Sequence, residues 1–136
     1  MGNTKKLGAD GENIAVLFLE SKEYEIVEKN YRAKLKIKKG AGCEIDIIAK
    51  KDGYIVFAEV KTRSSLTYGV PSESVNINKQ RHIISAAKYF LMGRGSLYSE
   101  SQPRFDVIEI YRDNKTGKNY VCHIEGAFIT NEKNSY

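Results

Sequence analysis

Residues 42–63 read Gly-Cys-Glu-Ile-Asp-Ile-Ile-Ala-Lys-Lys-Asp-Gly-Tyr-Ile-Val-Phe-Ala-Glu-Val-Lys-Thr-Arg. Two apolar runs, Ile45–Ala49 and Tyr54–Val60, flank Lys50-Lys51-Asp52-Gly53. Asp52-Gly53 marks a tight hairpin, because such a turn needs residues that tolerate positive φ. The runs are rich in Ile, Val, Phe and Tyr and are expected as strands. Glu44 and Asp46 share one strand face, and Glu59 and Lys61 share another. A turn centred on Asp52-Gly53 sets Asp46 opposite Glu59 and Glu44 opposite Lys61; a one-residue slip would undo this.

Opposed carboxylates inside apolar strands repel unless something neutralises them. Cross-strand ion pairs on a solvated face would do so. A divalent cation would also, and hard oxygen ligands suit magnesium, which takes one or two carboxylates and keeps several waters. Convergence of Glu44, Asp46 and Glu59 with Lys61 in buried-looking strands favours the cation.

Working outward, residues 29–43 carry Lys29, Arg32, Lys34, Lys36, Lys38 and Lys39 with no acid among them, and lead straight into Glu44. A charge run is usually a solvated face, but one delivered beside an acidic centre suits a phosphate backbone guided there. The net charge of +5 favours polyanionic partners in the same direction. At 136 residues, with 41% hydrophobic and 29% charged positions, one domain over residues 5–130 is expected, with 131–136 a frayed tail. No apolar run is long enough to span a membrane and no apolar leader is evident, so a cytoplasmic location is the expectation. Cys43 and Cys122 make neither a disulfide framework nor a zinc motif.

Residues 4–22 have helical periodicity, with Thr4 as cap and Leu7, Ile14, Ala15, Leu17 and Phe18 as apolar positions. Gly8 and Gly11 weaken that helix and suggest close approach of its backbone to the sheet or substrate. Taken alone, Glu12 reads as a surface carboxylate. Tyr24–Arg32 is expected as a strand, 64–76 as a loop, Lys79–Met92 as a helix capped by Asn78 and stopped by Gly93, and Arg104–Tyr111 and Tyr120–Ile124 as strands about an Asp113–Gly117 turn. Strand, helix, strand over residues 54–111 makes a parallel crossover.

Asp46 followed by Glu59-x-Lys61 resembles the PD-(D/E)xK nuclease signature. Together with Gly8-x-x-Gly11-Glu12, Glu44-Ile-Asp46-Ile-Ile-Ala, Phe57-Ala-Glu59-Val-Lys61-Thr-Arg63 and Arg104-Phe105-Asp106-Val107, it resembles the bacterial YraN-like family. These are small predicted nucleases similar to archaeal Holliday-junction resolvases, and the likeness runs from about Gly8 to Ile129. Cys43 departs from the glycine the family suggests. The resemblance implies an α/β, restriction-endonuclease-like αβββαβ core with a mixed central sheet flanked by helices. It implies metal-dependent hydrolysis of DNA phosphodiester bonds, on branched DNA among other substrates. Asp46 and Glu59 would hold Mg²⁺ or Mn²⁺, aided by Glu12, Glu44 and the Val60 carbonyl, and Lys61 would orient the nucleophile or stabilise developing charge. Lys34, Lys36, Lys38, Lys39 and Arg63 would hold backbone phosphates. Lys79 is carried over from the family as a basic group pointing at the site. Asp106 has as good a claim to an in-sheet bonding role as to a site role. Resolvase-like relatives often act as dimers, yet no apolar seam marks a dimer surface, so a homodimer stays open. Two other functions stay open as well: a non-catalytic nucleic-acid-binding or scaffold module, and an enzyme of RNA or small nucleotides.

Overall fold

The computed structural model describes residues 4–34, 44–63 and 75–129. Seven elements follow in order: α1 (Thr4–Ser21), β1 (Glu25–Arg32), β2 (Glu44–Lys51), β3 (Tyr54–Arg63), α2 (Ile77–Met92), β4 (Gln102–Arg112) and β5 (Asn119–Phe128). They form one five-stranded mixed sheet in the order β1-β2-β3-β4-β5. Only the β3–β4 pair is parallel, and α2 is its crossover. The αβββαβ order expected from the sequence is the order observed, and the expected last strand is β5, antiparallel to β4 at the edge of the sheet.

The hairpin builds the centre. Asp52 and Gly53 take φ of 51° and 84°, the two left-handed residues of a tight turn. The pairing that follows, Lys51↔Tyr54 through Ile47↔Ala58, is the expected register. Alternation along β3 then divides the core. Ile55 and Phe57 face α2, packing with Ile83, Ile84, Ala87 and Phe90. Val56 and Ala58 face α1, packing with Ala15 and Leu19. Cover on both faces explains why β2 and β3 are apolar almost throughout rather than alternating.

Both helix ends differ in detail from expectation. Thr4 lies within α1 rather than capping it. The helix closes without glycine: Tyr24 N–H donates to the Leu19 carbonyl at 3.0 Å and Glu23 N–H to Glu20 at 3.0 Å, with Glu23 itself left-handed at φ 69°. That is a Schellman closure with glutamate where glycine is usual. In α2 the cap is Asn76, not Asn78: its side chain accepts the Lys79 N–H at 2.9 Å. Buried Val75 just before it fixes the entry of the chain. Gly93 caps the other end as expected, though in a right-handed conformation with φ −71°.

The close approach expected of the α1 glycines is seen at Gly11. A Cβ there would run into the Thr62 hydroxyl on β3. Gly11→Ala is therefore expected to destabilise the protein by about 1–3 kcal/mol, as overpacking does. Thr62→Ala in the same chain should restore most of it, because the remaining Thr62 contact, its Cβ at 3.5 Å, is ordinary. Chemical unfolding of the two single variants and the double variant measures the coupling. No rescue would mean that Gly11 serves something other than this contact.

Candidate functional site

The β2–β3 ladder is continuous only as far as Ile47↔Ala58. Beyond it the strands stop exchanging backbone bonds, and Asp46 Oδ2 accepts the Val60 N–H at 2.8 Å instead. This carboxylate fills the opening between the strands. Glu59 adjoins it on β3, its side chain 14% exposed, with Lys79 Nζ 3.6 Å from Oε1. Lys79 lies in the first turn of α2, as expected, although the helix starts at Ile77. Lys61 follows on the same face of β3, and its charge acts on Glu59. Glu12, next to Gly11, acts on Asp46 from the α1 side. The end of the hairpin thus collects one acidic pair, two lysines and a third carboxylate from both helices and both central strands.

Burial dominates the electrostatics. It pushes Asp46 up from 3.8 to about 6, against the Val60 N–H bond, with Glu12 and Glu44 adding repulsion and Lys79 opposing it. It pushes Glu59 from 4.5 to about 7, with Asp46 the next cause and Lys79 and Lys61 opposing. Both acids are harder to ionise in the fold than in the unfolded chain, so their contribution to stability is complete below pH ~4 and is lost as pH rises through these values. The metal-free protein should lose on the order of 3 kcal/mol from this coupled pair between pH ~4 and ~8. Added Mn²⁺ should raise the unfolding midpoint more at pH 8 than at pH 5, since cation and proton compete for the same oxygens. Thermal unfolding across pH, with and without the ion, measures both. A Mn²⁺ shift independent of pH would exclude the pair as its seat.

Other expected residues fall elsewhere. Glu44 is in register with Arg32 on β1 and 3.5 Å from its guanidinium, an exposed ion pair on the side away from β3. The three-acid convergence expected of Glu44, Asp46 and Glu59 is therefore not formed, and among the described residues no three His, Cys, Asp or Glu side chains group closely enough to hold a metal. Asp46 and Glu59 remain, a donor set that fits a hard cation keeping most of its waters. Val60 turns its N–H towards β2, and strand geometry turns its carbonyl to the same edge. Arg63 lies on β3 with its guanidinium 3.9 Å from Glu109. Lys34 is exposed, two residues past the end of β1. Lys36, Lys38, Lys39, Cys43, most of the expected 64–76 loop and the 131–136 tail lie outside the described residues.

Two neighbours had gone unremarked in the sequence. Asn30 has its side-chain amide against the Glu12 carboxylate. Glu109 is the parallel-register partner of Lys61, is 1% exposed, and keeps Oε2 without a hydrogen-bond partner. Only the periodicity of β4 could have hinted at it, by putting an acid at a position that should be apolar.

Asp106 belongs to a different cluster. Phe105 and Val107 on either side of it face α2, so Asp106 faces α1. It is fully buried. Arg104 donates to both its oxygens at 2.9 and 2.8 Å, His123 Nε2 lies 2.7 Å away, and Gly126 N–H donates at 3.0 Å across a register shift between β4 and β5. Burial raises its pKa, but His123, Arg104 and Gly126 together outweigh burial and hold the carboxyl below its usual range. The Arg-Phe-Asp motif is a structural lock between the last two strands.

The fold and site define a class: an α/β protein with a five-stranded mixed sheet, a helix on each face, and a desolvated acidic pair attended by lysines at the end of its central hairpin. The chain belongs to the uncharacterised protein family UPF0102, whose family pattern matches residues 11–110; this is the YraN-like family expected from the motifs. It is 48% identical over 130 residues to a UPF0102 protein of Caldicellulosiruptor bescii, covering 93% of this chain and 99% of that one. A UPF0102 protein of Caldanaerobacter subterraneus is 42% identical over 127 residues, with 93% and 97% covered. One of Clostridioides difficile is 42% identical over 126 residues, with 93% and 99% covered. The match begins at Gly11-Glu12 and ends within β4, so it includes Asp46, Glu59 and Lys61. No helix among the described residues is long and apolar enough to cross a membrane.

Proposed function

We propose that this protein is a metal-dependent endonuclease of the PD-(D/E)xK type, hydrolysing DNA phosphodiester bonds with Mg²⁺ or Mn²⁺, with branched or structured DNA among its candidate substrates. The observation that carries the reading is the Asp46–Glu59 pair. Two carboxylates desolvated side by side, with pKa values raised to about 6 and about 7, work against the metal-free fold, and a divalent cation relieves both desolvation and repulsion. A bound cation supplies charge stabilisation and activates water for attack at phosphorus.

The chain's own groups do the rest. Asp46 is held in place by the Val60 N–H. Glu59 is steadied by Lys79, an ion pair that the approaching cation and phosphate would share. Lys61, two residues beyond Glu59 on the same face, presents its ammonium to negative charge building on the phosphate. Arg63, a further step along that face, and Lys34 hold backbone phosphates without reading bases. The basic residues of 36–39 extend the same track in sequence.

The testing experiment incubates purified protein with labelled duplex, single-stranded, flapped and four-way-junction DNA and with RNA, in Mg²⁺, Mn²⁺ or EDTA, beside Asp46→Ala. Metal-dependent cutting lost in the variant supports the enzyme, and the preferred substrate names its class. The Lys79–Glu59 pair favours one second reading, because it already offsets part of the acidic charge without a cation. On that reading the protein is a non-catalytic nucleic-acid-binding module, and tight binding without cutting in any metal would establish it.

A further inference from the structure

We infer that Asn30 is a positioning residue whose side-chain amide holds the Glu12 carboxylate towards the Asp46–Glu59 pair and thereby sets divalent-cation affinity there. The inference rests on the cation-dependent reading above and adds a residue that no motif contains.

Three observations carry it. The β1–β2 register runs Lys29↔Ile47 and Tyr31↔Ile45, which places Asn30 across from Asp46. Asn30 is left-handed, with φ 52°, within the stretch Glu28 to Arg32 over which the register with β2 is constant, the shift in β1 lying earlier, between Ile26 and Glu28. Pairing does not require that conformation. Asparagine is among the few residues with a side chain that adopt it readily. With its NH₂ turned to Glu12, the Asn30 amide donates to Oε2 at 3.1 Å and to Oε1 at 3.3 Å.

The chemistry of the donor matters. Glu44 and Glu59 are met by cations, Arg32 and Lys79. Glu12 is met by a neutral amide, which fixes both carboxylate oxygens yet leaves the charge intact. A carboxylate oriented in this way and coupled to Asp46 is a group kept available for a cation through its water. The close seat of α1 on Thr62 at Gly11 brings Glu12 to that place, and Asn30 then turns it.

The test uses Asn30→Gly, which keeps the left-handed backbone and removes the amide. Mn²⁺ binding is measured by titration calorimetry on wild type, Asn30→Gly, Glu12→Gln, the Asn30→Gly/Glu12→Gln double variant and Asp46→Ala, with metal-free unfolding alongside. Asn30→Gly should weaken Mn²⁺ by about tenfold or more, as loss of a group supporting a metal ligand does, while the metal-free unfolding midpoint stays near wild type. The double variant should bind no more weakly than Glu12→Gln alone, because Asn30 acts through Glu12. Unchanged Mn²⁺ affinity in Asn30→Gly, or a loss that adds in full to that of Glu12→Gln, overturns the inference. If wild type binds Mn²⁺ and Asp46→Ala does not, those results bear on Asn30 alone and the cation reading stands. If wild type binds no Mn²⁺, both fall.

Discussion

Replacing Asp46, Glu59 or Lys61 by alanine is expected to lower metal-dependent DNA cleavage by about 10²–10³-fold, the scale on which a group stabilising transition-state charge acts. The three variants should not fail in the same way. Asp46→Ala and Glu59→Ala remove the cation's oxygens, so Mn²⁺ affinity and cleavage fall together. Lys61→Ala leaves those oxygens in place, so it should bind Mn²⁺ and DNA and still not cut. Folding should survive in all three. Removing either acid relieves desolvation and mutual repulsion, and the metal-free protein should gain about 1–3 kcal/mol at neutral pH. Asp46→Asn is the useful companion, because it keeps an acceptor for the Val60 N–H while removing the charge. Gain of stability with loss of function at the same residue is the mark of a site kept strained for its chemistry. In the two acid variants affinity for DNA should hold or rise slightly, since the basic residues are untouched and negative charge is removed. Purified variants compared by cleavage, Mn²⁺ titration, DNA binding and thermal unfolding give the four readouts. Full cleavage by any one of the three removes the mechanism.

What the sequence showed of this arrangement, and what it hid, follows from the range of the forces involved. The hairpin was legible because Asp52-Gly53 fixes turn geometry locally, and a two-residue turn leaves one register. Asp46 beside Glu59 followed from that register alone. Glu44 went the other way because a central strand has two neighbours. The hairpin pins β2 to β3, whereas β1 joins β2 through a long connection, and Arg32 opposite Glu44 could not be read from local pattern. The α2 cap was misplaced because Asn76 and Asn78 have equal capping chemistry. The choice is made by burial of Val75 and by the Gln80 side chain donating to the Val75 carbonyl at 2.7 Å. The glycine at 11 announced a close approach but not its partner. Asn30 and Glu109 carried no signal of their role, since each acquires it from a residue on another element. In the Arg104-x-Asp106 spacing, the ion pair was readable as two side chains on one strand face. Its third and fourth members, His123 and Gly126, appear only once β5 is laid down with its register shift.

That lock is the seat of the second large effect. Asp106→Asn is expected to cost about 3–5 kcal/mol, the range for breaking a buried, paired charge, and to lower the melting temperature by roughly 10–20 °C for a chain of this size. The carboxylate receives four contacts and is fully buried. An asparagine oxygen can keep one or two of them, but its NH₂ must then face the Arg104 guanidinium or the Gly126 N–H. Arg104 would lose part of its pairing with this residue and lean on the Tyr24 hydroxyl (2.6 Å), the looser Glu125 contact (3.8 Å) and the Tyr54 ring, 5.0 Å from its guanidinium carbon. The sign of the pH dependence separates this acid from the candidate site. Asp106 is held below its ordinary pKa, so its stabilisation is present above the unfolded value of 3.8 and is lost as pH falls through the lower folded value. The Asp46–Glu59 pair behaves oppositely, its penalty growing as pH rises. Urea unfolding from pH 2 to 8 should therefore show an acid limb that flattens in Asp106→Asn and a neutral limb that flattens in Asp46→Asn/Glu59→Gln. Cleavage per folded molecule in Asp106→Asn should match wild type, since Asp106 faces α1 and Glu59 faces α2. A variant within about 1 kcal/mol of wild type would show that the four contacts only balance the desolvation of Asp106. A fully folded Asp106→Asn that no longer cuts would move this residue from the lock between β4 and β5 into the site itself.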